Sequence, residues 1–208
     1  SRGLGDVYKR QQLLIISLGV VICYDLISFS KNYVNSENFV DPVFVENPFN
    51  KDDVYQSIAQ DESVFSILDL TENSTKPNYF FNSVNGYHAA KLGRYNDLME
   101  FYLNKTHLNT LSMLNTKYII FEKEGVKEIY QNDNASGSAW FVKENIKVLN
   151  DDQEIKRLDS LNFRDVSVSQ SFLNKTYQNT NSSVVLSEKS SDYISYNVST
   201  DNLSLIIF

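Results

Sequence analysis

Hydrophobic and polar positions alternate in three different ways along this chain, and each way predicts a different kind of element. From Gln12 to Tyr24 the run QLLIISLGVVICY is uncharged and rich in branched aliphatics; it stops at Asp25 and is followed by Leu26, Ile27 and Phe29. A membrane-spanning helix needs about 20 apolar residues, so residues 12–29 read as the C-terminal part of a transmembrane helix. A signal-peptide core or a buried core helix has the same length. Against the signal peptide, Phe29, Lys31 and Tyr33 stand where a small-residue cleavage site belongs. Residues 30–50 are punctuated by Asn and Pro, with Phe39, Val43, Phe44 and Phe49 spaced as anchors, and read as an ordered linker.

The middle pattern, over residues 51–165, mixes both periods. Asp52 to Gln60 predicts a short helix capped near Asn50. Val64 to Leu70 is almost continuously apolar, as in a strand buried on both faces. A helix from Gly86 or Tyr87 to Leu103 would set His88, Leu92, Tyr95, Met99 and Tyr102 on one face. Leu108 to Leu114 predicts a further helical turn, and Tyr118 to Phe121 a central strand. Val126–Tyr130 and Ala139–Val142 read as a hairpin around the turn-forming residues 132–137. Asp151 to Leu161 reads as a surface helix with acids in its first turn, where the helix dipole favours them.

In the third pattern, residues 166–208, short apolar stretches alternate with polar neighbours. Val184–Leu186, Ile194–Val198 and Leu203–Leu205 predict an antiparallel meander with turns near Ser190 and Asp201. The expected fold class is α+β: a mixed domain with a central sheet, then an incomplete antiparallel sheet, preceded by the end of a transmembrane helix.

The ends of the chain bear on what the pattern means. Asp6-Val7-Tyr8-Lys9-Arg10-Gln11 is the in-frame translation of GATGTGTATAAGAGACAG, the end of a common sequencing adapter, so residues 1–11 are expected to be foreign to the protein. Setting them aside removes Arg2, Lys9, Arg10 and Asp6 and moves the net charge from −7 to −9. The basic residues before the apolar run then say nothing about membrane orientation. Asn202 to Phe208 becomes more hydrophobic up to the last residue, unlike a usual polar terminus. The chain is accordingly read as a fragment of a larger membrane protein.

Composition narrows the chemistry. Thirteen Tyr and thirteen Phe supply enough apolar mass for a core. The one cysteine, Cys23, lies in the apolar run, so the soluble part has neither disulfide nor thiol chemistry. An acidic chain without a basic stripe argues against nucleic acid as a partner. No nucleotide-binding loop is present, and His88 and His107 lack acidic or Cys neighbours at ligand spacing, so neither a cofactor nor a metal is expected. Asn-x-Ser/Thr triplets at Asn73, Asn104, Asn134, Asn174, Asn181, Asn197 and Asn202 are what an Asn- and Ser-rich chain produces by chance.

One constellation invites a functional reading. Within Gly86 to Tyr95 a continuous helix would gather Tyr87, His88, Lys91, Arg94 and Tyr95 near its N-terminus, where free N–H groups attract anions, making a site for a phosphate or an acidic sugar. The competing reading pairs Lys91 and Arg94 with carboxylates on a solvated face while His88 and Tyr95 fill the core.

Taken in order, Phe39-Val40, Glu46-Asn47-Pro48-Phe49, Leu68-Asp69-Leu70-Thr71, Gly86 to Tyr95, Met113 to Ile120 and Ala139-Trp140-Phe141-Val142 resemble the extracytoplasmic domain of YfhO-family membrane proteins, particularly those of Bacteroidetes. The resemblance covers most of residues 12–165. Glu72 and Ser74 stand in place of the family's Gly and Pro, and Asn85-Gly86-Tyr87 in place of its Gly-Gly-Tyr. It implies a multi-pass protein of the bacterial cytoplasmic membrane, similar to GT-C glycosyltransferases, with this domain facing the periplasm or cell exterior. It further implies a continuation past Phe208 into more strands, and partners comprising the lipid bilayer, a polyprenyl-phosphate sugar and an envelope polymer. The catalytic carboxylate of such enzymes lies in an early external loop, so no residue here carries over as catalytic. The alternative is a noncatalytic module that holds an envelope polymer or a partner protein.

Overall fold

In the computed structural model, which describes residues 2–85 and 90–208, the chain divides into two units, residues 1–50 and 51–208. The first unit is dominated by helix α1, Arg2–Ser30. Its segment Val7–Ser30 is long and apolar enough to cross a membrane. At about 1.5 Å per residue these 24 residues reach about 36 Å. No side chain of the segment is buried against protein, and a helix apolar all round needs an apolar surrounding. Full spanning length depends on Val7 to Gln11, the stretch that resembles adapter sequence. Beyond α1, Asp41 caps the short helix α2, Pro42–Glu46, by accepting from the Val43 N–H. The expected anchors Phe39, Val43 and Phe44 remain exposed, and Phe49 alone of the four is partly covered.

The second unit begins with α3, Asp53–Ile58, whose cap is Asp52, close to Asn50; the Asp52 carboxylate accepts from the Tyr55 N–H at 3.0 Å. Strand β1, Ser66–Asp69, leads to α4, Lys76–Phe80, then to α5, Gly93–Phe101, and α6, Leu108–Met113. Strands β2, Thr116–Lys123, and β3, Val126–Gln131, follow. They form a sheet in the order β1-β2-β3, with β1 parallel and β3 antiparallel to β2, so Tyr118 to Phe121 is central as its composition predicts.

Strand alternation splits the core between the faces of this sheet. Ile67 and Ile120 join Tyr55, Ile58 and Phe65 on one side, while Leu68 and Ile119 join Val84, Leu103 and Leu111 on the other. Both faces of β1 are therefore covered, which is why its sequence is almost continuously apolar.

Next come β4, Trp140–Val142, and β5, Glu144–Lys147, then α7, Asp151–Arg157, and β6, Val166–Ser169. The last strands are β7, Lys175–Thr176, β8, Ser183–Lys189, β9, Ile194–Ser199, and β10, Leu205–Ile207. β5 lies between β6 and β7, β8 pairs with β9, and β10 pairs antiparallel with β4. The molecule is α+β, as its pattern predicts.

Two expected connections differ. The hairpin is β2–β3, not β3–β4. Glu124 and Gly125 both take positive φ, 53° and 80°, the combination that a two-residue turn between right-twisted strands requires. Asn132 meanwhile points inward, 3% exposed, its Nδ2 donating to Ser112 Oγ and the Thr116 carbonyl at 2.9 Å. It pins the chain and sends it away from the sheet. The final meander is likewise a hairpin only: β8 and β9 pair, but Leu205-Ile206-Ile207, apolar without alternation, leaves to pair with Trp140-Phe141-Val142.

Candidate functional site

Helix α5 starts later than its sequence suggests. Leu92 is its extended N-cap, 81% exposed, so the face expected to run from His88 through Leu92 to Tyr102 does not form as one stripe. Tyr87 and His88 lie outside the described residues. Lys91 precedes the helix and does not share a helical face with Arg94. Tyr95 does turn inward: its Oη donates to the Val84 carbonyl at 2.5 Å, and burial pushes its phenol above the usual value.

Arg94 points to α7. Its guanidinium lies 3.3 Å from the Asp151 carboxylate, with both side chains mostly in solvent. The position of Asp151 follows from local chemistry: Asn150 caps α7 by accepting from the Gln153 N–H at 3.0 Å, and acids occupy the first turn. Tyr102, at the end of α5, donates its Oη to the Ile155 carbonyl at 2.6 Å and fixes one helix against the other. Gln170 bonds both Asp151 and Glu154, the latter at 2.7 Å. Arg94, Asp151, Gln170 and Glu154 thus form one polar network on a rim.

Beneath that rim lies a cleft of about 590 Å³, walled by Leu98, Phe101, Ile155 and Phe163 and also lined by Trp140 and Phe208. Trp140 is held by its Nε1–H, which donates to the Phe163 carbonyl at 2.9 Å, and the two rings meet edge to face. Phe101 is half exposed. Of the charged residues around the cleft, Asp97, Asp151, Asp152 and Glu154 outnumber Arg94 and Lys156, so the local charge disfavours a bare phosphate. Ile155, Leu158 and Leu161 recur at i, i+3 and i+6 in the sequence and line the cleft from the α7 side, whereas nothing local specifies the pairing of β10 with β4.

A second cluster, absent from the sequence reading, lies at the C-terminal end of β1. Asp52 accepts from Lys76 and Lys127, each at 3.3 Å, and Glu72 stands 3.6 Å from Lys127 and 3.9 Å from Lys76. Behind it Tyr55 donates to the buried Asp69 at 2.6 Å. Burial, with the acceptor Asp69 beside it, drives the Tyr55 phenol far upward. These groups satisfy one another and join α3, α4 and β3. Among the described residues no group of His, Cys, Asp or Glu side chains is placed to hold a metal ion.

No family model, curated protein or solved structure matches this chain.

Proposed function

We propose that this chain is a membrane-anchored, extracytoplasmic part of a bacterial multi-pass membrane protein of the YfhO kind. In this reading its second unit holds the sugar portion of an envelope polymer, or of the polyprenyl-phosphate-linked precursor, while a GT-C-like membrane part performs transfer. The observation that carries it is the cleft under the Arg94–Asp151–Gln170 network, with the exposed ring of Phe101 as its wall. A sugar ring presents C–H faces that stack on an aromatic side chain and hydroxyl edges that need fixed donors and acceptors. The cleft supplies both. Its carboxylates Asp151 and Glu154 are engaged by Arg94 and Gln170, which suits holding a ligand better than transferring one. The acidic rim favours an uncharged sugar over the phosphate of the carrier. The long apolar helix supports anchorage.

The test is retention of radiolabelled envelope polysaccharide by the purified full chain and by its Phe101→Ala variant. Retention by the wild type and loss by the variant, with unchanged circular dichroism, is the expected outcome. Equal retention by both sinks the reading.

A further inference from the structure

Two further clefts extend the first. One of about 930 Å³ lies beneath the β8–β9 hairpin and shares Met113, Leu114, Trp140 and Phe208 with the cleft at Arg94. Another of about 450 Å³, beside Asp61 and Tyr79, shares Phe65, Asn82 and Lys189 with the middle one. Each neighbouring pair of clefts therefore has side chains in common. Each lies within the range of roughly 300–1,000 Å³ typical of small-ligand sites, so one sugar unit would fill only a part.

We propose that these clefts form one groove for a linear, uncharged oligosaccharide, which passes under the β8–β9 hairpin as under a strap; the inference rests on the sugar-binding reading above. The strap is held partway along β9, where Tyr196 Oη donates to the Ser138 carbonyl at 3.2 Å, and shaped at its tip by the Ser190 N–H donating to the Tyr193 carbonyl at 2.7 Å. The middle stretch carries one charge of each sign, Lys189 and Asp192, and otherwise is lined by aromatic rings and neutral amides and hydroxyls such as Tyr193, Trp140, Asn82 and Ser191. That mixture matches alternating C–H faces and hydroxyl edges along a glycan. Linked subsites act at high effective concentration, so affinity must rise with ligand length. Tyr193, half exposed at the strap's tip, contributes to the middle stretch and not to the Arg94 end.

The experiment titrates the full chain in detergent with labelled cellobiose, cellohexaose, maltose and maltohexaose, and repeats the titration with Tyr193→Ala and Tyr193→Phe. In at least one series the hexasaccharide should bind more than about tenfold tighter than the disaccharide. Tyr193→Ala should remove that gain, and Tyr193→Phe, which keeps the ring, should restore it. Equal affinity at both lengths overturns the groove but leaves the sugar reading standing. Absence of binding at either length overturns both. A neutral Ser/Thr hexapeptide that binds as tightly as the hexasaccharide overturns the glycan as occupant, and an unchanged length dependence in Tyr193→Ala overturns the strap.

Discussion

Tyr55 and Asp69 lie 14 residues apart, both wholly shielded from solvent, and are joined by a 2.6 Å hydrogen bond from the phenol to the carboxylate. A buried carboxylate is tolerable only when its lone pairs are occupied. Asp69 meets the condition through Tyr55 on one oxygen and through the Thr71 N–H and hydroxyl on the other. Tyr55→Phe preserves the ring packing against Phe80 and Phe81 but strips one oxygen of its donor. A hydrogen bond to a charged group contributes about 1.5–3 kcal/mol, and the variant should be destabilised by that amount in urea unfolding. A change below about 0.5 kcal/mol would place Asp69 in contact with water.

Acid should unfold the second unit through Asp61 and Asp52. The Lys117 ammonium, 2.5 Å away, holds the Asp61 carboxyl well below the usual range. At Asp52 burial acts in the opposite direction, but the Tyr55 N–H, Lys127 and Lys76 outweigh it and the pKa is lowered. Since both folded values lie below the unfolded ones, the unfolded chain binds more protons on acidification. The stabilisation is complete above about pH 4 and is lost as pH falls through the folded values. Melting temperature measured from pH 7 to pH 2 should drop steeply below about pH 4, and Asp61→Asn should make that drop shallower.

The alkaline side has the reverse sign. Burial first, then the bond to Asp61, push the Tyr118 phenol up to about 12. A raised folded pKa gives stability that is complete below about pH 10 and disappears as pH climbs through the folded value. Tyr118→Phe should therefore start less stable at neutral pH and lose less between roughly pH 10 and 12. Identical alkaline limbs for both proteins would mean that Tyr118 titrates normally.

Gly125 should resist substitution because of backbone geometry and not crowding. Its φ is +80°, yet nothing lies within 4 Å of an added Cβ. Left-handed backbone costs an L-residue about 1–2 kcal/mol, so Gly125→Ala should lower stability by about that amount and loosen the β2–β3 pairing in hydrogen exchange.

The same turn marks where the sequence stops being legible. The central strand, the acid-led surface helix and the β8–β9 hairpin follow from local periodicity and composition, and each forms close to where the pattern places it. In the sequence Glu124-Gly125 is a weaker turn signal than residues 132–137, because composition cannot distinguish an Asn that turns the chain in solvent from one, like Asn132, that turns inward to bond Ser112 and Thr116. The β4–β10 pair joins residues more than sixty positions apart and leaves no local trace. Arg94 was visible as a candidate, but its partner Asp151 lies 57 residues away; the cleft they border could emerge only from the packing of α5 on α7.

The Arg94–Asp151 pair separates binding from folding. Both side chains are more than three-quarters exposed, and exposed ion pairs contribute about 0–1 kcal/mol. Arg94→Ala should thus leave the urea midpoint nearly unchanged. The guanidinium nevertheless orients Asp151 on the rim of the cleft, and loss of a charged hydrogen-bond group from a ligand site reduces affinity by about tenfold or more. Polysaccharide retention should fall by about that factor, whereas Lys91→Ala, outside both helix and cleft lining, should have no effect on either measurement. If Lys91→Ala weakens retention as much as Arg94→Ala does, the ligand lies along the segment preceding α5 and the cleft is not its site; if Arg94→Ala unfolds the protein, the pair supports the packing of α5 on α7 rather than a bound sugar.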